Sequence, residues 1–211
     1  MQKFLRMTHQ HAFDLDGGLL CLDFVNTLEQ ENGEDVETLR EYADLVAFAL
    51  QAGTITYSPQ TTDLMLMASR HGAEAQNVLT AALELRGVIY RILSDSARGD
   101  TPASIDIAAF NDWLDKTLCS LRVAPEGNGF GWQWAENEPR LERVLWPIVW
   151  SLAQTLVDSE QLSRVKECSS HTCKYLFYDT SRNRSRRWCD MTTCGNRDKV
   201  RRFYRRQKDE S

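Results

Sequence analysis

Four cysteines near the C-terminal end set the strongest constraint on how this chain folds. They form two pairs with the same spacing, Cys168-x4-Cys173 and Cys189-x4-Cys194, with fifteen residues between the pairs. Two close pairs of thiols that meet across a short gap supply the four ligands of a tetrahedral zinc ion. The spacing within each pair lies at the wide end of the usual range. We therefore predict one zinc site made of these four side chains.

A zinc site explains these four cysteines better than isolated thiols or disulfides do. Unrelated buried thiols would stand alone, as Cys21 and Cys119 do in apolar surroundings. Disulfides need an oxidising compartment, but the chain begins MQKFLRMTHQ, without a secretory signal, and has no run of ~18 apolar residues that would span a membrane. We therefore expect a cytoplasmic protein with no membrane contact and with reduced, metal-binding thiols. His171 lies inside the first pair, and whether its imidazole contacts zinc stays open at this point.

The charge map divides the chain into two parts. Residues 1–161 contain 11 Lys and Arg against 24 Asp and Glu, whereas residues 162–208 contain 14 against 4. The overall net charge of −5 therefore conceals a strongly basic C-terminal segment. Part of this positive charge would offset the negative charge of a four-thiolate zinc site, and the rest is available for an anionic partner.

The acidic part has the hydrophobic period of a helical domain. Apolar residues recur every three or four positions, which predicts helices over residues 38–51, 59–70, 73–97, 102–118 and 138–157. We expect Pro147 to kink the last of these or to divide it into two helices. Near residues 120–135 the period changes to alternation around the turn sequence PEGNG, which predicts a β-hairpin.

The basic part has the outline of a treble-clef-like zinc module. An aromatic, β-prone run follows the first cysteine pair, a loop that is half arginine covers residues 180–187, and a closing helix covers residues 195–208. Such a module has too little apolar area to fold without its metal. The predicted fold is therefore mainly α: a helical domain at residues 1–160 with one β-hairpin, followed at 161–211 by a small zinc module ending in a basic helix.

The closing helix has two different faces. At ~100° per residue, its apolar positions and Gln207 fall on one arc, and its cations occupy the opposite side with Asp198 as their single acidic neighbour before residue 209. We expect the apolar stripe of Val200, Phe203 and Tyr204 to pack on the zinc module or on the helical domain. The cationic face and the arginine loop predict contacts with nucleic acid, since arginine pairs well with phosphate and guanine. The predicted contact residues are Arg182, Arg184, Arg186, Arg187, Arg197, Lys199, Arg201, Arg202, Arg205 and Arg206.

The motif at residues 179–197, DTSRNRSRRWCDMTTCGNR, resembles the CGNR-type zinc finger of bacterial proteins, and this resemblance covers residues 165–206. The preceding part resembles the ABATE domain, which accompanies this finger and is described as a stress-induced transcription regulator. The residues that carry this second resemblance are LCLDFVNT at 20–27 and ALELR at 82–86. Together, the two resemblances span nearly the whole chain.

The resemblance implies both a metal site and a function. It makes Cys168, Cys173, Cys189 and Cys194 the zinc ligands, with the Gly, Asn and Arg after Cys194 shaping the turn into the helix. It also favours a DNA-binding transcription regulator that contacts duplex DNA. The alternative is a zinc-stabilised interaction platform for a protein partner or RNA.

Three polar residues interrupt the apolar helices of the acidic part, namely Asp23, Asn26 and Arg86. Buried polar groups need partners. These residues therefore either line a pocket for a small-molecule effector or act as internal supports, with Asp23 and Arg86 satisfying each other. The sequence contains none of the motifs of a lipase-type serine hydrolase, a zinc protease or a phosphate loop, so we expect no enzymatic activity. The oligomeric state cannot be predicted from these features.

Overall fold

The computed structural model describes residues 13–31, 33–56, 58–135 and 140–209, apart from the side chains of residues 31, 59, 60, 202–206, 208 and 209. Within these ranges the α-helices are α1 (Leu20–Val25), α2 (Tyr42–Gln51), α3 (Pro59–Arg70), α4 (Gly72–Arg98), α5 (Ser104–Leu118), α6 (Trp146–Val157), α7 (Ser159–Leu162) and α8 (Asn196–Asp209). The strands are β1 (Leu28–Glu31), β2 (Glu34–Glu37), β3 (Leu121–Glu126), β4 (Gly129–Trp134), β5 (Val165–Glu167) and β6 (Leu176–Tyr178). The chain is mainly α-helical, as predicted.

Local sequence signals explain where several helices begin and end. Glu41 and Asp44 form a reciprocal capping box at the start of α2, so this helix begins later than its apolar period alone predicts. Ser58 caps α3, and Pro59 occupies the first position, where its missing N–H costs no helical hydrogen bond. Helix α4 ends at Gly99, which adopts a left-handed conformation with φ of 81°.

The core of the protein surrounds α4. The side chains of Leu85, Ile89 and Ile92 are fully buried at helical spacing, and this face packs against α1, α2, α3 and α5. Helix α1 contributes Leu22 and Phe24 to the same cluster. Burial of each large apolar side chain contributes about 1.5–3 kcal/mol, so this cluster is the main source of stability of the helical part.

Two sequence predictions about the second half of the domain are confirmed. The predicted hairpin forms between β3 and β4, which pair in antiparallel register. Pro147 divides the predicted last helix: a short 3₁₀-helix, Leu141–Leu145, precedes α6, and the proline lies in the first turn of α6. Trp134 of the hairpin packs against Trp146 of α6, with 5.8 Å between the ring centroids.

A second hairpin in the helical part was not predicted. Strands β1 and β2 pair antiparallel directly after α1. Their residues are mostly acidic or polar, so the alternation of apolar residues that marks a strand is missing. The dipeptide Asn32-Gly33 is the signal that could have indicated this hairpin, because it favours two-residue turns.

The zinc module docks on the helical core. Strands β5 and β6 form an antiparallel hairpin whose residues Val165 and Leu176 are buried in the same cluster as α4. Because Val165 and Leu176 lie in that cluster, the two parts share one hydrophobic core. The predicted boundary at residues 160 and 161 falls within α7, and two residues separate α7 from β5. Every helix within the described ranges is too short or too polar to cross a membrane.

Candidate metal centre and nucleic-acid interface

The four predicted cysteines converge on one point. Their Sγ atoms all lie within 4.8 Å of one another. The Sγ–Sγ distance is 3.7 Å both between Cys173 and Cys189 and between Cys189 and Cys194. Four thiolates at ~2.3 Å from a tetrahedral zinc ion are about 3.8 Å apart, so the cluster already has the dimensions of a zinc site. The four cysteines form one cluster, and this cluster fits the predicted zinc cofactor.

The first cysteine pair lies in the connection between β5 and β6. The backbone N–H of Cys168 donates to the Tyr175 carbonyl at 2.9 Å, and the N–H of Cys173 donates to the Ser170 carbonyl at 3.1 Å. These bonds fold the segment into a tight knuckle. The sulfur atoms share protons: hydrogen bonds from the Cys173 and Cys189 thiols lower the pKa of the Cys168 thiol, and the same bonds raise the pKa of the Cys173 and Cys189 thiols.

The second cysteine pair is held by the turn Met191–Gly195, which leads directly into α8. The Asp190 carboxylate accepts hydrogen bonds from the backbone N–H groups of Thr192 and Thr193 at 3.1 and 2.8 Å. A Cβ atom on Gly195 would lie 2.5 Å from the Met191 Sδ atom, so the lack of a side chain at Gly195 leaves room for the methionine side chain. This turn fixes the start of α8 to the metal site.

The two cysteine knuckles are also joined outside the sulfur cluster. The Arg197 guanidinium, in the first turn of α8, donates to the Thr172 hydroxyl at 2.8 Å. The side chain of Asn196 donates to the Thr192 carbonyl at 2.9 Å. His171 is exposed and is not among the groups that converge on the metal position. The groups that converge on the metal position are therefore four sulfurs.

A buried carboxylate organises the arginine loop, and sequence reasoning did not identify it. Asp179 is fully buried and accepts hydrogen bonds from the backbone N–H groups of Ser181 and Arg186 at 2.9 and 3.0 Å. The Lys166 ammonium donates to the same carboxylate at 2.6 Å. Burial alone would raise the pKa of Asp179, but these bonds outweigh it and hold the pKa well below its usual value. The loop therefore has a defined conformation.

Two of the predicted nucleic-acid contacts already bond to other groups of the protein. The Arg186 guanidinium donates to the carbonyls of Trp188 and Cys189 and stacks on the Phe177 ring at 4.7 Å from its centroid. Arg184 pairs with Glu160 at 3.2 Å and donates to the Ser163 hydroxyl at 3.0 Å. Both arginines thus support the module and its attachment to α7.

The other predicted contacts whose side chains are described lie on the surface of the module. Arg197 is exposed although it bonds to Thr172, and Arg187 is exposed although it lies over the Trp188 ring. The predicted contacts that are exposed and whose side chains are described are Arg182, Arg184, Arg187, Arg197, Lys199 and Arg201, and Arg184 among them is paired with Glu160. The side chains of Arg202, Arg205 and Arg206 lie outside the described set.

The expected packing of the apolar stripe is wrong for its one described apolar residue. Val200 is 55% exposed, so this side chain is not buried against the zinc module or the helical part. The side chains of Phe203 and Tyr204 lie outside the described set. The described positions after Asp198 are all exposed.

Asn26 and Asp23, two of the three polar residues of the helical part, support the attachment of the zinc module. The Asn26 amide donates to the Leu176 carbonyl at 2.9 Å and accepts from the Leu176 N–H at 3.1 Å. Asp23 accepts from the Gly17 N–H at 2.9 Å, and the Gly17 carbonyl accepts from the Tyr178 N–H at 2.8 Å. Burial raises the pKa of Asp23 to about 6. Both residues thus hold strand β6.

Arg86 has a different partner from the one expected. Its guanidinium forms a two-point ion pair with Glu37 on β2 and donates to the Thr27 hydroxyl at 3.0 Å. The expected pair with Asp23 is therefore corrected. Arg86 and Asn26 nevertheless line a cavity of about 250 Å³ between α1, α4 and the first cysteine knuckle, which contributes Lys174 and Tyr175. Asp23 is not part of this cavity's lining.

Comparisons with known protein families match this arrangement. The sequence model of the CGNR zinc finger matches residues 164–207. The model of the ABATE family, described as "Putative stress-induced transcription regulator", matches residues 18–159, about two thirds of the chain. A comparison with curated proteins found no match. The chain therefore belongs to the ABATE family and ends in a CGNR zinc finger.

Proposed function

We propose that the chain is a DNA-binding transcription regulator that contacts duplex DNA through α8 and the exposed arginines of the zinc module. The observation that carries this proposal is the direct passage from the metal ligand Cys194 into a helix with seven Lys and Arg residues between positions 197 and 208. Zinc fixes the base of this helix, and its described cations point to solvent. A fixed, exposed cationic helix is what phosphate binding requires.

The length of α8 supports duplex recognition. Its 14 residues extend for about 21 Å, which covers several phosphates of one strand. An α-helix also fits the major groove, where arginine pairs with guanine through two hydrogen bonds. The exposed arginines of the loop, Arg182 and Arg187, would extend the contact along the backbone.

The described ion pairs between the acidic part and the zinc module lie outside α8. Asp35 pairs with Lys174, and Glu160 pairs with Arg164 and Arg184. Lys199 and Arg201 of α8 are exposed, so their charges can meet a phosphate.

The decisive experiment reverses charge on α8. Lys199→Glu combined with Arg201→Glu changes two exposed cations and should reduce affinity for duplex DNA at least about tenfold, with zinc content unchanged. The control is Arg70→Glu combined with Lys116→Glu, which makes the same change in net charge on the exposed surface of the helical part. Equal affinities of the two double variants would refute DNA binding through α8.

The salt dependence of binding distinguishes the alternative partners. Binding to duplex DNA should weaken steeply between low and moderate salt, because each neutralised phosphate releases a counterion. A matched single-stranded RNA and an acidic peptide should be measured with the same protein. Tighter binding of either one would support a zinc-stabilised interaction platform in place of a DNA-binding regulator.

We propose as well that the chain acts in the cytoplasm by binding alone, without catalysis. The cavity beside Asn26 and Arg86 would take a small effector, and it is lined by Lys174, the residue that follows the zinc ligand Cys173. Because Glu37 already matches the charge of Arg86, the effector would be uncharged at that end. A thermal-shift screen with neutral aromatic compounds tests this cavity, and Gly87→Leu, a substitution in its wall, should abolish any shift that a compound produces.

A further inference from the structure

The β3–β4 hairpin has one face that carries apolar side chains alone. In the antiparallel register, Val123 lies opposite Trp132, and Pro125 lies opposite Phe130. Directly opposed residues, and residues two apart on one strand, point to the same side of a sheet. The face therefore consists of Leu121, Val123, Pro125, Phe130, Trp132 and Trp134.

The two ends of this apolar face have different surroundings. Near the base, Trp134 and Trp132 contact Trp146 and Trp150 of α6, with 5.8 and 5.9 Å between ring centroids. Further out, the face is open to solvent. Phe130 is 78% exposed, Trp132 is 64% exposed and Val123 is 62% exposed. Helix α6 thus holds the hairpin in place and leaves its outer half uncovered.

The opposite face of the hairpin is also exposed, but its side chains are polar or small. It carries Arg122, Glu126 and Gln133, together with small residues. A hairpin that served only as a surface connection would present polar side chains on its solvent side. A contiguous exposed patch with two large aromatic rings marks an interaction site on a soluble protein.

We propose that this apolar face is a self-association surface, on which the same face of a second copy of the chain packs about a two-fold axis. The face contains no ionisable side chain, so a charged partner would lose solvation there without gaining an ion pair. The identical face of a second copy has the matching chemistry. In a two-fold contact, Phe130 and Trp132 of each copy cover the apolar side chains of the other.

The available area is sufficient for a dimer that dissociates on dilution. Aromatic side chains bury about 150–250 Å² each, so four of them at the exposure found here would bury roughly 400–700 Å². Val123 and Pro125 of both copies and the adjoining backbone bring the total to the order of 1,000 Å², where specific interfaces begin. The proposal goes beyond DNA binding and does not depend on it.

Salt gives self-association a signature opposite to that of DNA binding. Residues 1–161 have 13 more acidic than basic residues, so two helical domains that approach each other repel. Added salt screens this repulsion and leaves the apolar contact intact. The dimer should therefore become tighter as salt is raised, whereas binding to DNA becomes weaker.

Sedimentation velocity of the full-length, zinc-loaded chain over a concentration series tests the proposal. The wild type should form a reversible dimer, and Phe130→Glu should raise the dissociation constant at least about tenfold. Ile105→Glu is the matched control, because Ile105 is equally apolar and is 76% exposed outside the hairpin. Val123→Lys provides a second disruption if Phe130→Glu lowers the thermal unfolding midpoint.

Each outcome supports or contradicts the proposed self-association surface. Loss of the dimer in Phe130→Glu and Val123→Lys, but not in Ile105→Glu, supports the proposal. The tryptophan emission of the wild type should also shift to the blue as concentration rises, since Trp132 becomes covered. A wild type that stays monomeric at high concentration and high salt would overturn the proposal and leave the face to another partner. A dimer that persists in the hairpin variants would overturn it equally.

Discussion

Asn26 and Leu176, 150 residues apart, form a closed pair of hydrogen bonds in which a side-chain amide takes the place of a neighbouring strand. The Asn26 side chain donates to the Leu176 carbonyl and accepts from its N–H, so both backbone groups at the edge of β6 are satisfied. Both residues are buried. The helical part and the zinc module are therefore joined by directional bonds within a common apolar core.

Replacement of Asn26 should weaken this joint. Asn26→Ala leaves the buried N–H and carbonyl of Leu176 without their partner, and we expect a loss of about 2–4 kcal/mol in the free energy of unfolding. Denaturant unfolding at saturating zinc measures the change. Asn111→Ala, at an exposed position of α5, should change stability by less than about 0.5 kcal/mol. Equal effects of the two substitutions would contradict a supporting role for Asn26.

Removal of zinc should destabilise the helical part as well as the module. Val165 and Leu176 belong to the core that surrounds α4, and Glu167 bonds to Ser94 of that helix at 3.0 Å. Structural zinc contributes about 10–16 kcal/mol to the folding of small modules. After chelation, hydrogen exchange should become faster in α1 and α4. Faster exchange confined to residues 164–209 would show that the two parts are energetically independent.

Cobalt substitution tests the ligand set. Four thiolates should give the intense sulfur-to-cobalt charge-transfer absorption of a tetrahedral four-sulfur site. His171→Ala should leave this spectrum unchanged, because the exposed imidazole lies outside the sulfur cluster. Cys173→Ser should reduce the charge-transfer intensity by about a quarter, because it removes one of the four sulfur ligands. A change of the spectrum in His171→Ala would contradict the four-sulfur assignment.

The buried carboxyl of Asp23 should give stability a dependence on pH. Burial raises its pKa to about 6 in the folded protein, above the ~3.9 of an unfolded chain. The folded state therefore binds the proton more tightly, and this group's contribution to stability falls as pH rises from about 4 to about 6. Asp23→Asn keeps an oxygen for the Gly17 N–H and should remove this slope. The measurement is the difference in free energy of unfolding between the variant and the wild type from pH 4 to pH 8. A difference that stays constant over this range would contradict the raised pKa of Asp23.

Asp179 should show the opposite dependence on pH. Its folded pKa lies below the usual value, so its contribution to stability is complete above about pH 4 and is lost as pH falls further. Asp179→Asn leaves the Lys166 ammonium without its buried counter-charge, and we expect a loss of about 3–5 kcal/mol at neutral pH. Asp112→Asn, at an exposed position, is the control. Differential denaturant unfolding that shows equal losses would refute the role of Asp179 in ordering the arginine loop.

The sequence was most informative where a structural element is specified by neighbouring residues. The spacing of the cysteines predicted the metal site, because each pair lies on one turn of the backbone. The turn sequence between β3 and β4 predicted the hairpin for the same reason, and Pro147 predicted a break that its ring imposes locally.

The sequence was least informative about which charged group meets which partner. Arg184 and Arg186 have the same side chain as Arg182, and their structural roles depend on Glu160 and Phe177, which the fold brings near. Glu37 replaced Asp23 as the partner of Arg86, because the unpredicted β1–β2 hairpin places it there. Long-range contacts of this kind leave no periodic pattern in the chain.

Among the described side chains, those of Asn196 and Arg197 bond the start of α8 to the zinc module, so the direction of the helix depends on the geometry there. Between Asn196 and Asp209 the helix is about 21 Å long, so a rotation of about 10° at its base would displace the far end by ~3.6 Å. This displacement is close to the ~3.4 Å rise of one base pair. In the proposed complex with DNA, the Arg197–Thr172 bond would therefore act at the point where a small angular change moves the far end of the helix by one base pair.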